Sequence, residues 1–369
     1  MNKIVTGSSA RPVAIWLLVG VLMIIMQIIL GGITRLTDSG LSITEWKPIL
    51  GTLPPMNEQD WQQAFDKYKE IAQFKHLHFY FSLQDFKSIY FWEWLHRNWG
   101  KLIGIVFIIP FLIFIKQKRI QPSMIKPLII LFLIGGLQGL IGWVMVQSGL
   151  NEEDLYVSHI RLCIHFLAAL VLLVYTFWFS LKLLEPGMER MKIPSLKKFT
   201  VVILALLVVQ LAFGAFMAGL RAAVVAPTWP DINGSYSTGE ILHYRGRTYS
   251  WLSAFINHPV GVQFIHRNLA YLIFILIIIW TIKAARLKTT PLLDRVKWLP
   301  LLLVTIQIVL GIASVLTSPR KVPQQWGIFE WNALAHQFVA ILLLLSLVSV
   351  VFLTNSNKKL IQPIHLNNR

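Results

Sequence analysis

Long apolar stretches alternate with shorter polar ones along this chain. Eight apolar stretches lie near residues 13–33, 102–115, 127–146, 162–183, 199–220, 269–282, 298–317 and 334–353. A helix needs roughly 20 apolar residues to cross the hydrocarbon core of a bilayer. Each stretch therefore predicts a transmembrane helix. The second and sixth reach that length only if they begin near His96 and His266. The first is too long for a signal-peptide core and is followed by no small-residue cleavage site, so it predicts a retained span. The fold class expected is an all-α integral membrane protein with eight spans.

The polar residues inside these stretches recur. His96, in EWLHRNWGKLIG, and His266, in QFIHRNLAYLIF, stand 170 positions apart, and His165 and His336 stand 171 apart. Gln-x-x-x-Gly occurs four times, as Gln27/Gly31, Gln138/Gly142, Gln210/Gly214 and Gln307/Gly311. Odd spans thus carry Gln and Gly one turn apart near their outer ends, and even spans carry a His near their outer start. A period of this size signals a duplicated unit. Four spans per unit is an even number, so both units enter the membrane in the same sense, related by an axis along its normal. The expected architecture is two tandem four-helix bundles of parallel topology. An N-terminal half covers 1–184, a linker 185–198 and a C-terminal half 199–369.

The loop after the first span contains MNEQDWQQAFDKYKEIAQF, which puts Trp61, Ala64, Phe65, Tyr68 and Ala72 on one face of a helix capped by Asn57. Three placements are open to it: on the membrane surface, as a lid over a site, or plainly in solvent. EWKPILG (45–51) and TWPDING (228–234) occupy corresponding places in the two halves and predict turns that shape the two entrances.

Only 14% of residues are charged, yet the net charge is +17. Its placement argues against nucleic acid as a partner. The two termini and the loops after spans two, four and six hold 19 Lys/Arg against 3 Asp/Glu, whereas the remainder holds 15 against 14. That bias is the positive-inside rule, with both termini on the cytoplasmic or matrix side. The single cysteine, Cys163, excludes an internal disulfide or a multi-thiolate metal site and reads as a packing residue.

Of ten histidines, only His96, His165, His266 and His336 belong to the repeat. Ionisable groups at membrane depth usually mark function. Two imidazoles from neighbouring helices can hold a haem iron from opposite faces, within apolar walls flanked by small residues. The pairs offered are His96/His165 and His266/His336, whereas a zinc site would need a tighter group of ligands. Arg97 and Arg267 follow the first His of each pair. They suit haem propionates, and equally topology or headgroup anchoring. Glu93 stands three residues before His96, on the same side of a helix, and Gln263 replaces it in the second half. A carboxylate beside a porphyrin can stabilise a developing cation or act as general base, which an amide cannot. That asymmetry assigns chemistry to the N-terminal site and electron storage or relay to the C-terminal one. The alternative is a headgroup-level acid paired with Arg97 or Lys101.

These residues resemble haem A synthase of the proteobacterial and mitochondrial kind that lacks a cysteine pair in its outer loop. The most specific stretch is GGITRLTDSGLSITEWKPILGTLPPMNEQDW (31–61), supported by VSHIRLCIHF, MAGLRAA, FIHRNLAYL and LAHQ. The resemblance covers all eight spans. It implies oxidation of a methyl group on haem O to a formyl group, giving haem A for cytochrome oxidase. It also implies a haem b cofactor on His266 and His336, and a substrate haem held between His96 and His165 with Glu93 beside it. The partners implied are haem O synthase, oxidase assembly factors and the lipid bilayer of a bacterial or mitochondrial inner membrane. A homo-oligomer stays open. The resemblance assigns no role to His159 or Cys163. Three rivals stand beside it: a di-haem cytochrome that relays electrons from quinol through the same histidines, a transporter built on the repeated four-span unit and holding no haem, and a haem chaperone without catalysis.

Overall fold

The computed structural model describes residues 10–46, 50–185, 188–236, 243–244, 247–322 and 325–356. Among them, eight helices are long and apolar enough to cross a membrane. In chain order these are α1 (Arg11–Leu36), α3 (Leu83–Lys116), α4 (Pro122–Gln147), α5 (His159–Leu184), α6 (Pro194–Gly219), α9 (Pro259–Ala285), α11 (Leu299–Thr317) and α12 (Ile328–Leu353). Four shorter helices connect them: α2 (Glu58–Lys69), α7 (Ala222–Val225), α8 (Trp251–Asn257) and α10 (Pro291–Val296). This chain is a multi-pass integral membrane protein.

Local sequence explains the boundaries. Proline occupies the first turn of α1, α4, α6, α9 and α11, where its missing N–H costs nothing. Ser82 and Asp85 form a capping box that starts α3 well before its apolar run. At 34 residues, α3 is about 51 Å long, so its first turns project from the bundle. His96 and His266 therefore lie within continuous helices, as full-length second and sixth spans require.

Each half closes on itself. In the first, α1 packs on α3 and α5, and α4 on α3 and α5; in the second, α6 packs on α9 and α12, and α11 on α9 and α12. The halves meet through α5 with α6 and through α12 with α1 and α5. The helices α1 and α12 are thus central, and α12 buries residues on every side, including Ile341, Leu347 and Val350. Large apolar side chains left exposed elsewhere, such as Ile109 on α3 and Leu133 on α4, are lipid-facing in such a bundle.

Asp38, just past α1, and Arg221, just past α6, stand 183 positions apart, the same spacing as Gln27 and Gln210. Both adopt a left-handed backbone (φ 56° and 52°), and their side chains form an ion pair with each other. The duplicated position thus carries opposite charges that join the two halves at the C-terminal ends of α1 and α6. Lys321 adds a second cation, 3.7 Å from Asp38 Oδ2, and Arg221 lies 3.9 Å over the Tyr156 ring.

The outer loop of the first half corrects one placement considered above. Its helix α2 is capped by Asn57 as expected, but the apolar face meets protein, not the membrane surface. Trp61 lies edge-on to Tyr90 with ring centroids 5.0 Å apart, and Phe65 stacks on Phe86 at 5.0 Å. Both partners belong to the projecting turns of α3, which give that face a surface to cover. Beneath it Tyr68 Oη donates to Gln73 Oε1 at 2.9 Å and lies 2.6 Å from His78 Nδ1. Burial pushes His78 down to about 4 from an ordinary value of 6.5. Its neutral form is favoured in the fold, so the contribution to stability is complete above pH 6.5 and is lost as pH falls towards 4. Hydrogen-exchange protection across residues 58–81, corrected for the intrinsic pH dependence of the chemical rate, should therefore fall over that window, and His78→Gln should flatten the dependence.

The departure from an all-helical chain is small. Between α7 and α8, His243–Tyr244 pairs antiparallel with Arg247–Thr248, in the long polar loop after the fifth span. The EWKPILG turn falls partly, and His365 wholly, outside the described residues.

Candidate haem sites between paired histidines

The four repeated histidines are seated in one manner. A Cβ on Gly31 would lie 3.1 Å from His96 Cε1, on Gly142 3.0 Å from His165 Cε1, on Gly214 3.5 Å from His266 Cε1, and on Gly311 3.0 Å from His336 Cε1. Each glycine of the Gln-x-x-x-Gly motif thus makes room for an imidazole from a neighbouring helix of its own half. In three of the four seats the glutamine one turn earlier holds the same histidine, whereas Gln138 makes no hydrogen bond to His165. Gln27 Nε2 donates to His96 O at 3.1 Å and Gln210 Nε2 to His266 O at 3.0 Å, while His336 Nδ1 lies 3.0 Å from Gln307 O. The motif is a seat for a ring.

In the C-terminal half the His266 and His336 ring centroids are 6.3 Å apart. Two imidazoles sharing one metal ion, with bonds of about 2 Å, hold their ring centres about 6 Å apart. Buried polar atoms cluster at both sites with no hydrogen-bond partner: Nδ1 of His96, His165 and His266, Oε1 of Gln27, Gln210 and Gln307, and both amide atoms of Gln138. A buried unsatisfied polar group costs about 1–3 kcal/mol. Such a concentration at two repeat-related places fits a bound group with polar or metal character. No compact cluster of three His, Cys, Asp or Glu occurs among the described residues, so paired imidazoles on a porphyrin iron fit the donor set better than a bare metal ion.

The entrance loops are tied down from the same helices. Glu93 is 2% exposed. Its Oε2 accepts from Ser42 Oγ at 2.7 Å and Ile43 N at 2.9 Å, and its Oε1 from Arg97 Nε at 3.1 Å and Nη2 at 2.6 Å. Arg97 also donates to the carbonyls of Ile43 (2.8 Å) and Glu45 (3.1 Å). In the second half Arg267 does the same to Thr228 O (2.6 Å) and Asp231 O (2.7 Å), and Gln263 Nε2 donates to Ala226 O at 2.9 Å. Arg97 and Arg267 are therefore staples that close the two entrance loops, a role that neither propionate binding nor headgroup anchoring had suggested. Among the described residues Arg267 has no carboxylate within ion-pair distance, whereas Arg97 has Glu93.

The loop over the N-terminal site is further fixed by Trp46, which stacks on Trp143 of α4 at 5.5 Å. Trp143 follows the glycine that seats His165. Ser42, Trp46 and Trp143 were not singled out in the sequence, and neither was the Asp38–Arg221 pair. The repeat spacing that aligned the glutamines would have found that pair. Cys163 is buried, with Sγ 3.7 Å from Ala212 O, a packing position. His159 ties α5 to α8 through Asn257 Oδ1 at 3.1 Å.

Fold and site together define a membrane protein with two duplicated bundles and an inward-facing pair of imidazoles in each. The chain belongs to the COX15-CtaA family of cytochrome oxidase assembly proteins, which it matches over residues 14–348. Proteins named Heme A synthase are similar over nearly its whole length. The one from Wolbachia pipientis is 38% identical over 96% of this chain and 95% of its own. The one from Rhodopseudomonas palustris is 40% identical over 95% and 93%, and that from Flavobacterium psychrophilum 38% over 90% and 95%.

Proposed function

We propose that this chain is a haem A synthase that oxidises the methyl group of haem O to a formyl group. The observation that carries the reading is the duplicated seat: four imidazoles, each backed by a glycine, in two pairs joined within one fold. Family membership and the names of the similar proteins supply the reaction. In this reading His266 and His336 hold haem b, which when bound supplies electron transfer. His96 and His165 hold the substrate porphyrin. Both sites face the periplasm or intermembrane space, with the termini on the cytoplasmic or matrix side as the Lys/Arg bias requires. Haem O synthase and oxidase assembly factors are the partners such an activity needs, since its substrate and product are both membrane-bound porphyrins.

Glu93 distinguishes the substrate half. Of its two candidate roles, general base or fixed charge, the four hydrogen bonds it accepts favour the second. A base must release partners to take a proton, and this carboxylate is held at both oxygens. Glu93 thus positions Ser42, Ile43 and Arg97 as a closed rim over the substrate. It also keeps a fixed negative charge beside a ring that loses electrons. Gln263 keeps the corresponding tether without the charge, which suits a resident cofactor.

The test is expression of the full chain in a host that makes haem O but no haem A, followed by pigment extraction. The expected result is haem A with the wild type and none with alanine at His96, His165, His266 or His336. Pigment from the wild type that contains only haem O would refute the activity and favour an electron relay or a chaperone.

A further inference from the structure

The N-terminal bundle contains an apolar cavity of about 50 Å³ that the site described above does not use. Trp16, Gly20 and Met23 of α1, Phe107 of α3 and Leu172 and Thr176 of α5 line it. Gly20 lies 11 residues before Gly31, Phe107 11 residues after His96, and Thr176 11 residues after His165. The three helices thus agree in placing the cavity about 16 Å inward of the His96/His165 level. Its polar neighbours are already spent. Trp16 Nε1 donates to Val106 O at 2.8 Å and Thr176 Oγ1 to Leu172 O at 2.7 Å. An apolar space of this kind holds no water.

The duplicated half is built differently at the same places. Gly20 corresponds to Ile203, by the spacing of Gln27 to Gln210, and Thr176 to Leu347, by the spacing of His165 to His336. Both Ile203 and Leu347 are 0% exposed, so two branched aliphatic side chains occupy in the C-terminal half what a hydrogen atom and a hydroxyl-bearing side chain leave open in the N-terminal half. Trp16 and Phe107 are larger than their counterparts Phe199 and Ile277, but their rings pack on each other at 5.2 Å, at the cavity wall. The wall towards lipid is thin. A Cβ on Gly104 of α3, or on Gly135, Gly136 or Gly139 of α4, would meet nothing within 4 Å.

We propose that this cavity receives the hydrocarbon tail of the porphyrin substrate, and that Gly20 and Thr176 determine specificity for a tailed over a tailless porphyrin. The inference rests on the reading that His96 and His165 hold the substrate. Haem O differs from protohaem in carrying an isoprenoid chain. A chain hung from the ring descends along the bundle axis into the cavity, and its end passes between α3 and α4 into lipid. The C-terminal half holds a tailless haem in this reading, and its equivalent space is filled.

The experiment uses the full-length protein in detergent with its C-terminal site already loaded. Affinities for haem O and for protohaem are measured by absorbance titration for the wild type, for Gly20→Ile/Thr176→Leu and for His96→Ala. The double variant copies the C-terminal half. It is expected to bind haem O about tenfold more weakly, the effect of excluding about two methylene groups, with protohaem binding and the C-terminal haem absorbance unchanged. Should that variant not accumulate, Gly20→Ala serves. Its added methyl would lie 3.9 Å from Thr176 Cγ2, an ordinary contact, and a selective loss of haem O affinity of about threefold is expected. Unchanged haem O affinity, or equal weakening of both porphyrins, overturns the proposal. Haem O binding that survives His96→Ala overturns the underlying reading as well, and so separates the two failures.

Discussion

Gly311→Leu is expected to empty the C-terminal site of haem while leaving the bundle folded. A Cβ at this position already comes within 3.0 Å of His336 Cε1, and a leucine extends further into the same space. The ring has nowhere to retreat, because the Gln307 backbone carbonyl holds its Nδ1 at 3.0 Å. Removing the support of a metal ligand typically costs 10–100-fold in affinity, so bound haem per chain should fall by about tenfold or more, and product formation with it. Gly104→Leu is the control, since nothing lies within 4 Å of its Cβ. It should keep the C-terminal haem. Equal haem content in the two variants would show that the glycine seats do not govern ligation.

The second large effect is on stability and separates two arginines with equivalent sequence positions. Arg97→Ala strands the carboxylate of Glu93, whose side chain is 3% exposed. Breaking such a buried pair from one side costs about 3–5 kcal/mol. Arg267→Ala removes two hydrogen bonds to carbonyls but leaves no buried charge behind, and should cost about 1–3 kcal/mol. Thermal unfolding in detergent reads the difference as a lower midpoint for Arg97→Ala than for Arg267→Ala. Adding Glu93→Gln to Arg97→Ala should restore part of the loss, because the amide needs no counter-charge. Failure of that rescue would remove the ion pair from the account of the N-terminal rim.

The spans were legible in the sequence because apolar runs and Lys/Arg placement are local signals. The pairing of Gln-x-x-x-Gly with histidine was legible because duplication repeats it four times. The seat itself was not, since nothing in the spacing says that Gly31 faces His96; that depends on how α1 packs on α3. The arginines' hold on the entrance loops was hidden for a related reason. Their targets are backbone carbonyls of Ile43, Glu45, Thr228 and Asp231, and carbonyls leave no trace in residue identity. The amphipathic face of α2 was visible, but its partner was not, because the capping box at Ser82 extends α3 outward into the loop region. Gly20 and Thr176 drew no attention among apolar neighbours. They gain meaning only beside Ile203 and Leu347.

Everything above depends on one porphyrin iron held by two imidazoles in each half. The most direct measurement is the absorbance spectrum, oxidised and reduced, of the purified full-length chain expressed with ample protohaem, beside its four histidine variants. The expected result is a low-spin haem signal that persists when His96 or His165 is replaced by alanine and disappears when His266 or His336 is. A colourless wild type, or a haem signal indifferent to His266 and His336, would contradict it.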